Sequence, residues 1–332
     1  MELSTISLPD FVKLGEVIFT KGKDSVSSIM RTSGFYNVTN EAKNTGNTRE
    51  FSEIDLEEYA SNKGESAQSS RAKTQQGYTK IMKKKRVSKD IGISYELINE
   101  NKYQDVVRKL TSLGKLVGNR MDLDLAHRIT FATSTSYTDK DGDTVTTTVG
   151  DGLALASTAH TVKGSSTTYR NILANNPRLS KGALEGMERL VVEETVNQFG
   201  EKVTDFPFDK LWTTDDPNTV NTAREYLQST ADVEGANSGV KNVYASKYAH
   251  VIFPRVATLA GGGKDTTKRF YWGLFSSTGS NANLGIWEES RMKAPKEEDF
   301  STDDTIFGAR GGYGIVILNG TFFKISKGNG DA

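Results

Sequence analysis

Val106, Leu110, Leu113, Val117, Met121 and Leu125 follow one another at intervals of three or four residues. That spacing lays six apolar side chains along one stripe of an α-helix and predicts a helix over about residues 99–131. At 1.5 Å of rise per residue it is roughly 45–50 Å long, more than most globular helices reach. Gly114 and Gly118 interrupt the stripe. Each costs about 1 kcal/mol relative to Ala in an exposed helix interior, so a bend or a close packing contact is expected there.

Two further helices carry start and stop signals. One runs from Ser180, an N-cap residue, to Phe199, with Gly200 as the stop and Leu184, Met187, Leu190, Val191 and Phe199 as its buried face. The other opens at Asp216 and Pro217 and carries Val220, Ala223 and Leu227. Short strands are predicted at Val240–Ala245, His250–Phe253, Phe270–Phe275, Leu284–Trp287, Tyr313–Leu318 and Thr321–Ile325. The last two are joined by Asn319-Gly320, a strong hairpin signal, and residues 134–150 read as a smaller hairpin around Asp141-Gly142. Helices and strands in this mixture make the chain α+β.

The segment before the long helix is different. Residues 1–49 hold one amphipathic turn (Phe11, Val12, Leu14, Val17, Ile18) and then a polar run, which reads as an N-terminal arm with little core of its own. An acidic stretch follows, with Glu50, Glu53, Asp55, Glu57 and Glu58, and later a basic one, with Lys80, Lys83, Lys84, Lys85, Arg86 and Lys89. Residues 61–77 between them have almost nothing to bury. Two extended arms with a polar tip predict a long hairpin over about 50–92, projecting from the body. Each charged block repels itself unless it is opposed. Glu53, Asp55, Glu57 and Glu58 on one side and Lys83, Lys84, Lys85 and Arg86 on the other are therefore candidate contacts, across the hairpin or between copies of the chain.

Catalytic chemistry finds little support. His127, His160 and His250 are far apart with no metal-ligand spacing, and structural roles are expected for all three. Asp139, Asp141, Gly142 and Asp143 resemble the opening of a calcium loop. The glycine stands at the fourth position instead of the sixth, however, and no Glu follows at the twelfth, which favours a plain Asp-Gly turn. Gly261–Lys264 lacks the spacing of a phosphate loop, and Gly308–Gly314 leads into a strand where a dinucleotide fingerprint needs a helix. There is no cysteine, which excludes disulfides and thiolate chemistry and suits a reducing cytoplasm. No apolar run approaches a membrane span, and the first residues do not read as a signal peptide. Lys plus Arg and Asp plus Glu number 42 each, so the basic excess of a strong nucleic-acid binder is missing. No cofactor or metal is expected.

The stretch Gly150–Asn171, GDGLALASTAHTVKGSSTTYRN, resembles a segment that recurs in the major capsid proteins of tailed bacteriophages, those with the Hong Kong 97-type shell fold. Leu211–Ser229 is similar to the family segment in which a short strand leads into a helix, and Asn242–Pro254 to the strand pair after it. Phe270–Pro295 is similar to a Trp-containing strand and its return. Phe307–Gly328, FGARGGYGIVILNGTFFKISKG, is similar to the closing pair. The order of features agrees over most of the chain, more than any single residue does.

The resemblance implies an N-terminal arm (1–49), an extended loop (50–92), a peripheral domain (93–175 and 290–332) with the long helix as its spine, and an axial domain (176–289). It implies a structural, non-enzymatic head protein that assembles with itself, as pentamers and hexamers, into an icosahedral capsid. That shell would enclose double-stranded DNA, touched non-specifically, within the virion and after assembly in the host bacterial cytoplasm. A scaffolding protein, a portal and a decoration protein are the implied partners; a membrane is not. Some members cross-link Lys to Asn. Lys63 and Lys73 lie in the loop here, but no match to the partner Asn or the assisting Glu exists, so the cross-link is carried to no residue. The alternatives are an encapsulin-like nanocompartment shell and, in another class, a β-rich binding protein or an enzyme.

Overall fold

The computed structural model describes residues 7–40, 46–56, 59–197, 199–202, 207–231, 240–278, 283–295 and 303–329. The stripe predicted from Val106 onward is helix α4, Tyr103–Thr130, a single run of 28 residues. A short helix α3 (Tyr95–Asn99) precedes it, and the two are separated by Asn101 at a φ of +53°. Every apolar residue of the stripe is buried.

What lies against α4 corrects the reading of the N-terminal segment. Residues 8–24 form helix α1 (Leu8–Asp24), whose Phe11, Ile18 and Phe19 are buried. The two helices touch through their glycines. A Cβ on Gly114 would stand 2.4 Å from the Phe19 carbonyl oxygen, and one on Gly22 would stand 2.3 Å from that of Thr111. The glycines thus serve a close crossing, and α4 runs through them without a break. After the single turn α2 (Ile29–Thr32), Phe35 is fully buried at the middle of an aromatic cluster with Tyr36, Phe253, Phe275, Phe322 and Phe323. Residues 8–36 therefore contribute to the main core. A one-turn reading missed this because the partners of Phe35, namely Phe253, Phe275, Phe322 and Phe323, lie far away in the chain.

A four-stranded sheet takes the other side of α4. Its order is β1 (Asn37–Asn40), β12 (Asn283–Lys293), β13 (Thr305–Ile317) and β4 (Lys85–Ile93), with β1 parallel to β12 and the other pairs antiparallel. Strand alternation turns Phe307, Ala309 and Tyr313 toward the helix, where the Tyr313 hydroxyl donates to Asp124 at 2.7 Å. Glycines of the run 308–314 sit where neighbours come closest. A Cβ on Gly311 would meet Val117 at 2.9 Å and Met121 at 3.0 Å, and one on Gly314, on the opposite face, would meet Met82 at 2.7 Å.

The second sheet has the order β10 (Ala249–Ile252), β9 (Lys210–Thr213), β11 (Trp272–Phe275) and β14 (Phe323–Ser326). Helices α5 (Lys181–Glu193) and α6 (Pro217–Gln228) cover one face through Leu184, Met187, Leu190, Ala223 and Leu227 against Leu211, Trp272 and Leu274. Both caps are as expected: the Ser180 hydroxyl accepts from the Ala183 amide, and the Asp216 carboxylate from the Thr219 amide. Trp212, Phe275 and Phe323 point the other way, into the core shared with α4.

Three details differ from the sequence reading. Helix α5 ends at Glu193, short of Phe199. Residues 243–247 form a turn, not a strand. Asn319-Gly320 does not close a hairpin: β13 and β14 belong to different sheets. The turn is held from elsewhere, because the Tyr169 hydroxyl accepts from the Gly320 amide at 3.1 Å and the Asn171 side chain donates to the Gly320 carbonyl at 3.2 Å.

Candidate assembly surfaces

The projecting hairpin consists of β2 (Thr48–Leu56) and β3 (Thr74–Lys83), an antiparallel pair with an irregularity between Ser52 and Ile54. Strand β4 leaves it at Lys84 and enters the four-stranded sheet. Residues 59–74 are exposed throughout. The root is anchored on one face by Met82 and Phe51, which pack with Ile286, Val316 and Leu318. On the other face Ile81 is 60% exposed and Ile54 on β2 is 67% exposed, with the hydroxyls of Ser52 and Thr79 bonded at 3.0 Å between them. Among the described residues, nothing covers these two isoleucines on the narrow two-stranded ribbon.

Among the described residues, the charged blocks do not face each other across this hairpin. Glu50 lies opposite Ile81, Asp55 opposite Gln75, Lys80 opposite Phe51 and Lys83 opposite Thr48. Glu53 falls at the irregularity, and its carboxylate accepts from the Asn319 side chain. Glu57 and Glu58 lie outside the described residues. The basic block is divided by the turn into the sheet. Lys83 and Arg86 are exposed. Lys84 pairs with Glu288 at 2.5 Å. That hydrogen bond and charge, with Arg291 and Arg86 near, hold the Glu288 carboxyl below the usual range. Lys85 pairs with Asp139 and, at 3.5 Å, with Asp143. Glu288, Asp139 and Asn319 lie far from both blocks in sequence, which is why composition alone could not find these partners.

The three histidines take structural places. His127, on α4, has Nε2 3.2 Å from the Thr258 hydroxyl. Burial, with the charges of Lys268 and Arg120, pushes it down to about 4. His250 is bonded to the Thr213 hydroxyl at 2.9 Å and lowered by burial. His160 is fully buried and stacked on Tyr169, with Nδ1 2.7 Å from Asp151 and Nε2 3.2 Å from the Leu155 carbonyl. Burial alone would raise Asp151. The His160 ring and the amides of Leu153 and Thr161 outweigh it and hold the carboxyl below its ordinary value. Asn171 completes this knot by accepting from the Ser157 amide at 2.8 Å and donating to the Leu155 carbonyl at 2.6 Å. Through His160, Tyr169 and Asn171, the stretch 150–171 thus fastens the turn between the closing strands.

The Asp-Gly turn is also as read. Asp139 accepts from the amides of Asp141 and Asp143 at 2.9 and 3.0 Å, between β5 (Ser136–Thr138) and β6 (Thr144–Thr146). Arg120 reaches Asp139 at 3.3 Å from α4. Among the described residues, no group of His, Cys, Asp and Glu could hold a metal ion, and no helix is long and apolar enough to cross a membrane.

No family model and no curated protein matches the sequence. Solved structures do match the fold. Gordonia phage Cozz is 15% identical with a TM-score of 0.49, over 92% of this chain and 87% of that one. A virus-like particle from Pyrococcus furiosus is 12% identical with a TM-score of 0.47, over 95% and 98%. The capsid of Myoviridae phage XM1 is 14% identical with a TM-score of 0.50, over 91% of this chain and 95% of that one. By this last comparison the chain has, nearly end to end, the fold of the phage XM1 capsid.

Proposed function

We propose that this chain is a bacteriophage major capsid protein, a structural and non-enzymatic subunit that associates with its own copies into the shell of a virion. One observation carries the reading: the fold matches that of a phage capsid over 91% of this chain and 95% of the other, which leaves little room for an added catalytic unit. The surfaces agree with it. A polar-tipped ribbon with Ile54 and Ile81 open is a poor use of residues in a monomer. It becomes useful when a neighbour covers it, in contacts of about 1,000 Å² or more.

The finer reading extends this. Copies form pentamers and hexamers of an icosahedral shell around double-stranded DNA, assembled in the host cytoplasm with a scaffolding protein, a portal and a decoration protein. Residues 93–175 and 290–332 make the peripheral domain and 176–289 the axial one. With 42 charges of each sign, contact with DNA is weak, non-specific and salt-sensitive. The charged residues Glu53, Asp55, Glu57, Glu58, Lys83 and Arg86 serve contacts between subunits. Negative-stain microscopy of the protein expressed alone tests the reading. Closed shells, tubes or sheets of regular subunits are expected, and a small monomer persisting at high concentration would overturn it. Particles recovered from infected cells should contain DNA; an enzyme cargo would point to a nanocompartment instead.

A further inference from the structure

A cleft of about 650 Å³ opens where the hairpin root meets the β5–β6 hairpin and β13. Its walls carry Lys80, Lys83, Lys84, Lys85 and Arg128 against the carboxylate of Asp143. Two of the five cations are neutralised, Lys84 by Glu288 and Lys85 by Asp139 and Asp143. Lys80, Lys83 and Arg128 form no ion pair among the described residues. Lys83 is exposed at the rim, while Lys80 and Arg128 are half-buried.

The two half-buried cations are held only by neutral groups. Lys80 donates to the Thr148 carbonyl, and Arg128 donates through Nη1 to the carbonyl of Thr146, two residues away. The Nε of Arg128 is buried with no acceptor. Unpaired buried donors are rare, and each asks what satisfies it. Their mutual repulsion is visible in Lys80, which burial and the Arg128 charge together push down to about 8, against a weaker pull from Asp151. Guanidinium and ammonium groups converging in a partly enclosed cleft are what recognition of a charged oxygen group requires.

We propose that this cleft is an oxyanion-binding site, taking a sulfate- or phosphate-like group or a carboxylate between Lys80 and Arg128. Two sources supply that chemistry: a free inorganic anion, or an acidic side chain of a second copy. Glu50, exposed on the hairpin and without an ion pair among the described residues, is an acid that a second copy presents. A bound anion favours the protonated amine, so binding is strongest below about pH 8 and weakens as Lys80 loses its proton. Lys83, Lys84 and Lys85 oppose that protonation, while Asp143 and Asp151 support it.

The test uses the unassembled full-length subunit and sulfate, whose charge is constant over this pH range. Ionic strength is balanced with chloride. Saturable shifts of the Thr146 and Thr148 amides are expected in nuclear magnetic resonance spectra, fading as the pH is raised through about 8. Lys80→Gln should weaken binding by about tenfold, the loss of a charge-assisted contact, and Arg128→Lys by less. Non-saturable shifts, or undiminished affinity in Lys80→Gln with its cooperative melting retained, would overturn the site. A second arm rests on the shell reading and identifies the source. Assembled particles that still take up sulfate at Lys80 point to a free anion, and particles that exclude it point to the carboxylate of a second copy. If no particles form, the shell reading fails while the first arm still decides the site.

Discussion

Lys324 stands in the middle of β14 with no exposed surface, its Nζ 3.3 Å from the Arg170 carbonyl and 3.2 Å from that of Glu194. Both acceptors are neutral, and burial, partly offset by Glu194 and reinforced by Arg170, pushes the amine down to about 7 from 10.5. Between those two values the unfolded chain holds a proton that the folded chain has lost, so raising the pH favours the folded state. Below about pH 7 the amine is charged in both states and its full burial penalty remains. Urea unfolding of the subunit should therefore show stability rising from pH 7 to 9.5, by up to about 3 kcal/mol from this group. Lys324→Met should be more stable than the wild type at pH 6.5 and should lack that part of the rise. Equal pH profiles in the two proteins would mean that Lys324 is solvated. In the sequence, Thr321–Ile325 reads as a strand, and alternation sets Lys324 on the opposite face from Phe323 and Ile325. What pattern alone does not reveal is that the second face is buried as well, because the strand lies beside the segment 170–194, far away in the chain.

Helix starts and apolar stripes were largely legible, because apolar spacing and capping residues act locally. The extent of α4 and the starts of α5 and α6 lie close to where the residues put them, whereas α5 stops short of its expected end and α1 is a full helix, not one turn. Partner choice was less legible. Gly114 and Gly118 look alike in the sequence, yet the first meets the α1 backbone and the second meets only a Val26 methyl at 3.4 Å. Magnitudes set the sign of their substitution. Ala in place of Gly favours a helix by about 1 kcal/mol, whereas forcing a methyl into a filled contact typically costs about 1–3 kcal/mol. Gly22→Ala and Gly114→Ala, each within 2.5 Å of a carbonyl oxygen, should lower subunit stability by roughly 1–3 kcal/mol and act through the same crossing. Gly118→Ala should be neutral or stabilising by up to about 1 kcal/mol. Chemical denaturation of the three variants checks this, and a stabilised Gly114→Ala would show that α1 can move away from α4 cheaply.

At the scale of the whole molecule, the two charged blocks, expected to oppose each other across the hairpin or between copies, do not do so across the hairpin, which leaves contact between copies as the alternative. The acidic and basic runs lie on the two arms of one hairpin, but the chain turns at Lys84 into β4 and carries the second half of the basic run into the sheet, so Glu288 meets Lys84 and Asp139 meets Lys85. The same distance effect hid the contribution of residues 8–36 to the core, since Phe35 is surrounded by aromatic residues more than 200 positions away. Reversing Lys83 to Arg86 as one block would therefore mix two effects, and the structure separates them. Lys84 and Lys85 hold carboxylates inside the subunit, so Lys84→Glu with Lys85→Glu should destabilise free subunits by about 1–4 kcal/mol, leaving repelling acids side by side. Lys83 and Arg86 are exposed, so Lys83→Glu with Arg86→Glu should shift the free subunit by no more than about 1 kcal/mol, including the charge that Arg86 places near Glu288. If these two meet acids of a neighbouring copy, the loss repeats at every contact of a shell, and assembled particles should dissociate at lower denaturant or higher salt. Adding Glu50→Lys should then restore part of what was lost. Denaturation midpoints measured on free subunits and on particles distinguish the cases. Particles of the Lys83 and Arg86 double variant that are as stable as wild type would remove these residues from the contact, and failure of Glu50→Lys to restore them would remove the acidic arm as their partner.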